Sequence, residues 1–182
     1  MKTAKILITT VCLVFASTNV LAASAKKSDQ KETQEKMVRY MQVVNHDLPL
    51  SVAVKLASAM LEQQAKHRIP VEIQMSIVRR ESAYNQYALG EQGELGFFQI
   101  MLNKHTQKVF KMMKSKEITT QNIYDPHTQT TVAMTVLNDC LIKKHRDMNR
   151  ALACYNGAMH PGAYSEAVLE KAKAIKRLLA KP

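Results

Sequence analysis

Residues 70–101 read PVEIQMSIVRRESAYNQYALGEQGELGFFQIM. Pro70 opens a helix, a place where its missing N–H leaves no bond unmade. Along that helix Ile73, Ile77 and Glu81 recur four apart, so a carboxyl continues an apolar stripe instead of the polar face. Burial disfavours the charged form of a carboxyl and raises its pKa, which is what a general acid working near neutral pH requires. Spacing alone leaves two readings open: a catalytic acid, or a structural ion pair with Arg79, Arg80 or another cation. Gly90, Gly93 and Gly96 then stand three apart in a polar segment that can bend and approach a ligand closely. That glycine pattern is weak, since surface loops often carry it. Phe97, Phe98, Ile100 and Met101 surround one polar residue, Gln99, whose amide suits a sugar hydroxyl or N-acetyl group, or else a buried structural role.

Outward from this stretch the period stays helical. Leu50, Val54, Ala57, Leu61 and Ala65 form one stripe of a helix starting after Pro49. Asp125-Pro126 is another start signal, and the segment to Lys144 carries Val132, Val136, Leu137 and Leu141. Near the end, Val168, Ala172, Ile175 and Leu179 line one face of a helix with Lys171, Lys173, Lys176 and Arg177 outside, a basic face read as solvated. Ala153-Cys154-Tyr155-Asn156-Gly157 sets a phenol and an amide at a helix end, where Tyr155 can aim its hydroxyl at a carboxyl. No alternating strand run of more than a few residues and no repeat appear. The expected fold class is all-α.

Composition sets the class of partner. With 46% hydrophobic and 23% charged residues, the 182-residue chain is globular, not disordered. Its net charge of +11 calls for an anionic partner. Lys2 and Lys5, the eleven-residue apolar run ILITTVCLVFA (6–16) and Val20-Leu21-Ala22 make a secretory signal peptide over residues 1–22. The run is too short for a membrane span of roughly 20 residues. Cleavage removes those two lysines and no acid, leaving +9. An exported basic protein, periplasmic or secreted, points away from nucleic acid and from membrane insertion, and toward carboxylate-bearing envelope polymers. Residues 23–35 read as a loose polar leader, with helical spacing from Lys36, so that 23–45 hold leader and first helix and 46–182 the catalytic domain. Cys140 and Cys154 then remain as an even pair flanking the turn 145–149, bridged or buried as free thiols. The six histidines show no H-x-x-x-H pair and the cysteines no C-x-x-C, so no metal and no cofactor are expected.

Three blocks, Glu81-Ser82-Ala83-Tyr84-Asn85, Gly93 to Met101, and Ala153-Cys154-Tyr155-Asn156, together resemble the signature blocks of the soluble-type lytic transglycosylases. The fold this implies is lysozyme-like, shared with goose-type lysozymes, and the similarity covers residues 49–168. The intervening Asn122-Ile123-Tyr124-Asp125-Pro126 resembles the family as well. By that resemblance Glu81 matches the catalytic acid and base, and Ser82 a residue that orients it or binds substrate. Gln99 matches a sugar-contacting glutamine, Tyr155 and Asn156 the pair opposite the glutamate, and Tyr164 a later cleft tyrosine. The implied substrate is peptidoglycan, cut between N-acetylmuramic acid and N-acetylglucosamine without water to leave a 1,6-anhydro end. Small size and the want of a separate wall-binding domain further suit opening local gaps for a secretion, conjugation or pilus apparatus. Two alternatives stay open: a goose-type hydrolase, and a non-catalytic peptidoglycan-binding accessory protein. Gln86 for a frequent Pro, Phe97-Phe98 for Leu-Met, Leu102 for Pro and Gly157-Ala158 for Ala-Gly depart from the pattern, and bear on cleft shape more than on the acid.

Overall fold

The computed structural model describes residues 28–102 and 122–181; the expected signal peptide and residues 23–27 of the expected leader lie outside them. Within these bounds the chain is helical. α1 covers 28–44, α2 Leu50–His67, α3 Val71–Glu81, α4 Pro126–Lys143, α5 Met148–Tyr155 and α6 Ala163–Leu179. Among the described residues, β pairing is confined to two isolated bridges, Leu89 with Leu95 and Leu95 with Ile100. The all-α expectation stands. No helix among these residues is long and apolar enough to cross a membrane.

Local chemistry explains the helix starts. Pro49 and Pro70 hold extended backbone at the N-caps of α2 and α3. Asp125 caps α4 by accepting the Thr128 N–H, with Pro126 as the first helical residue. Asp147 accepts the Arg150 N–H in the same way at α5.

Two expectations need correction. Residues 28–35 are not a loose leader, because α1 already runs through them. Its first turns are held by polar pairs that a hydrophobic period does not register: Glu32 with Lys36 at 2.7 Å, and Gln34 Nε2 donating to Ser58 Oγ at 2.7 Å. The apolar stripe assigned to α2 is also rotated. Leu50 and Val54 are exposed, at 59% and 40%, as is Ala65, whereas Ala53, Leu56, Ala57, Met60 and Leu61 are buried.

The buried faces meet in one core. α2 packs on α4, α3 on α6, and α5 on both α4 and α6. Met37 and Met41 of α1, Leu56 and Met60 of α2, Ile77 of α3 and Leu137 of α4 are fully buried. Each such side chain contributes about 1.5–3 kcal/mol by leaving water. α3 is thereby clamped with its C-terminal end, and Glu81, at the edge of the core.

Candidate active site

α3 ends at Glu81, and Ser82 is its C-cap. The Ser82 hydroxyl bonds to two carbonyls, Val78 O at 3.2 Å and Phe97 O at 3.0 Å. It thus ties the helix end to the loop 88–100. Ala83 and Tyr84 follow with φ of 49° and 63°, a left-handed conformation that costs about 1–3 kcal/mol per non-glycine residue and needs strong surroundings. Tyr84 has them. It is fully buried, its hydroxyl donates to Met75 O at 2.9 Å, and its carbonyl accepts from Asn45 Nδ2 at 2.9 Å.

The loop folds back on itself. Leu95 and Ile100 exchange both backbone bonds, at 3.1 and 3.0 Å, and the Gly96 N–H donates to Ala88 O at 2.8 Å. Gly96 has φ +69°, and a Cβ there would stand 1.8 Å from Gln129 Nε2, so only glycine lets α4 approach so closely. The Gln129 side chain uses that approach to accept the Phe98 N–H at 3.3 Å. The loop leads straight to Gln99, itself at φ 49°.

Glu81, Gln99, Tyr155 and Asn156 line one cavity of about 320 Å³, together with Glu94 and Phe98. Tyr164 joins them from α6 by donating its hydroxyl to Glu81 Oε1. Ser82 does not face this cavity; it lines another of about 620 Å³ with Asn45, Asp47 and Asn85, and its hydroxyl is spent on backbone carbonyls. Tyr155 differs from expectation too. Its hydroxyl donates to Phe98 O at 3.1 Å and not to a carboxyl, so at the end of α5 it is engaged by the loop backbone.

The electrostatics shift Glu81 toward its protonated form. Burial raises its pKa, while the Tyr164 hydrogen bond and the Arg80 charge pull it down and the charge of Glu94 pushes it up again. The net direction is upward. Among the described residues no ion pair to Glu81 is present; Arg80 instead lies over the Tyr164 ring, 5.3 Å from its centre. Burial also pushes both phenols well above the ordinary tyrosine range, so Tyr155 and Tyr164 remain donors. A half-buried acid held by a neutral donor, facing a polar cavity, is suited to giving and retaking one proton.

Cys140 of α4 and Cys154 of α5 are joined by a bond of 2.13 Å between their Sγ atoms. The bridge fastens the end of α5 that carries Tyr155 and Asn156. Sequence reasoning had no means of placing Glu94, because its position follows from the hydrogen bonds that close the loop.

Comparison with known proteins yields a family and a fold. The family model described as the transglycosylase SLT domain matches residues 58–176. No curated protein sequence matches. The X-ray structure of an inactive glutamate-to-glutamine mutant of lytic transglycosylase Slt from Pseudomonas aeruginosa is similar over 67% of this chain and 22% of its own, at 14% identity and TM-score 0.52. A complex of the 70-kDa soluble lytic transglycosylase with bulgecin A is similar over 80% of this chain and 26% of its own, at 20% identity and TM-score 0.52. The chain thus spans about a quarter of the length of those proteins.

Proposed function

The chain belongs to the transglycosylase SLT domain family, and from that premise we propose that it is a peptidoglycan lytic transglycosylase with Glu81 as its acid and base. The observation that carries this reading is Glu81 itself: half-buried, raised in pKa, held by Tyr164 and facing the cavity that Gln99 and Asn156 share. That a glutamate-to-glutamine mutant is the inactive form of the Pseudomonas aeruginosa protein agrees with it.

In the proposed reaction, protonated Glu81 donates to the oxygen linking N-acetylmuramic acid to N-acetylglucosamine, and that bond breaks. Positive charge grows at the anomeric carbon, where the substrate's acetamido group or the cleft stabilises it. Glu81, now ionised, takes the proton of the muramoyl C6 hydroxyl. The freed oxygen attacks the anomeric carbon and closes a 1,6-anhydro ring. One carboxyl suffices because it ends as it began, and because the nucleophile is internal, with effective molarities on the order of 10⁵ M or more. The hydrolytic scheme instead calls on a second carboxylate to activate water. Export to the periplasm and local wall opening for an envelope-spanning assembly belong to the same reading, the latter by analogy of architecture.

The test is Glu81→Gln. Turnover of purified sacculi is expected to fall by about 10²–10⁴-fold, with fold and glycan binding retained. A purified variant that releases muropeptides at the wild-type rate would overturn the proposal.

A further inference from the structure

Three acids near the signature blocks have no role in the single-carboxyl scheme: Glu91, Glu94 and Asp125. Asp125 is committed to the start of α4, accepting the Thr128 N–H at 2.9 Å and its hydroxyl at 3.1 Å. Glu91 is exposed and does not line the cavity of Glu81. Glu94 does line it. Its Oε2 accepts the Gln92 N–H at 2.9 Å, which fixes one oxygen against the turn.

The position of Glu94 depends on Gly90. A Cβ at Gly90 would stand 2.3 Å from Glu94 Oε2 and 2.7 Å from Gln99 Oε1. Both distances are shorter than atoms tolerate, so the two oxygens occupy the space that a side chain would fill. Gln99 Nε2 donates to Gly96 O at 2.9 Å and to Ala88 O at 3.3 Å. With its nitrogen so engaged, the amide leaves its carbonyl oxygen beside Gly90, in the same space as Glu94 Oε2. Glu94 and Gln99 thus bring two acceptor-bearing side chains to the cavity that Glu81 also lines. What complements such a pair is a hydroxyl, an acetamido N–H, or a carbon gaining positive charge.

We propose that Glu94 is a second carboxylate of the cleft, placed by Gly90 to stabilise the positive charge that develops at the anomeric carbon while Glu81 moves the proton. This rests on the reading of Glu81 given above. Glu94 forms no covalent bond and transfers no proton; it acts as a fixed charge in a partly desolvated site, where such a charge is strongest. It also acts on Glu81. The charged and titratable groups facing Glu81 are Arg80 on its own helix, Tyr155 of α5, Tyr164 of α6, and Glu94 of the loop. Of these, the charge of Glu94 keeps Glu81 protonated to higher pH, and Arg80 opposes it.

The experiment compares Glu94→Gln, Glu94→Asp and Gly90→Ala with wild type, taking kcat and KM on soluble glycan strands across a pH series. Glu94→Gln is expected to lower kcat on the order of 10²-fold with KM little changed, and to move the alkaline limb of activity to lower pH. Glu94→Asp keeps the charge and should recover part of kcat. Gly90→Ala keeps the carboxylate but displaces it, and should lower kcat with the fold kept, since the added Cβ meets the Glu94 and Gln99 side chains, the Glu94 Cβ at 3.0 Å included, and not backbone. A Glu94→Gln enzyme with wild-type kcat and an unmoved alkaline limb would mean that Glu94 merely closes the loop through Gln92, and would overturn the inference. Should that variant fail to fold, wild-type kcat in Gly90→Ala would overturn it equally. With Glu81→Gln as control, an active control sinks the underlying reading, whereas an inactive control beside a wild-type Glu94→Gln sinks this inference alone.

Discussion

A carboxyl that must release a proton near neutral pH has to be kept from ionising early, and at Glu81 that costs stability. Its pKa is raised above the ordinary 4.5, first by burial, so the folded chain holds this proton more tightly than the unfolded one. The stability that Glu81 contributes is complete below the unfolded pKa and is lost as pH rises through the folded value. Glu81→Gln cannot ionise and still accepts the Tyr164 hydroxyl. It is expected to be more stable than wild type at pH 7, by about 1 kcal/mol, with the gap closing toward pH 4; equal melting temperatures at both pH values would contradict this. Tyr164→Phe tests the other side of the balance. The Tyr164 hydrogen bond lowers the pKa of Glu81, so its loss should move the alkaline limb of activity to higher pH. Turnover should drop roughly tenfold from the lost hydrogen bond to a charged group. A limb that stays in place would contradict that role. Glu81 was legible in the sequence because a four-residue period and a resemblance picked out one residue. Glu94 was not, because its place depends on the missing Cβ of Gly90, a contact across the folded loop.

At the scale of elements, the starts of helices were readable and their phase was not. Proline at 49 and 70 and the Asp125-Pro126 pair act on the backbone next to them, so sequence neighbours decide. Which face of α2 turns inward is decided by α4, and there the period alone chose Leu50 and Val54 where packing chose Ala53 and Leu56. Two changes probe how elements hold the site. Gly96→Ala meets both a positive φ and the Gln129 amide, and is expected to cost roughly 1–3 kcal/mol in thermal unfolding; an unchanged Tm would contradict the close approach of α4. The bridge between Cys140 and Cys154 closes a separation of 14 residues. Reduction should destabilise the protein by about 3 kcal/mol, read from denaturant curves with and without reductant. Superimposable curves, or two thiols free to alkylate without reduction, would argue against the bridge.

For the whole molecule the governing quantity is charge. At +11 over the full chain, attraction to an anionic polymer should weaken with salt as the Debye length shrinks, from ≈ 10 Å at 0.1 M to ≈ 3 Å at 1 M. Binding of the Glu81→Gln protein to sacculi is accordingly expected to fall as salt rises, in a sedimentation assay, and salt-independent binding would point to sugar contacts alone. The helical fold was legible because its period recurs throughout, from Ile73 to Leu179, while no strand run competes. The first turns of α1 were not legible in the sequence because charged pairs such as Glu32 with Lys36 continue a helix that no apolar stripe marks. The central claim, one proton-transferring carboxyl and an internal nucleophile, is tested most directly by mass spectrometry of muropeptides released from purified sacculi. The expected products end in 1,6-anhydro-N-acetylmuramic acid, each lighter by one water than its hydrolysed counterpart and inert to borohydride. Reducing-end muramic acid as the dominant product, from enzyme free of other hydrolases, would contradict the claim and assign the cleft to a goose-type hydrolase.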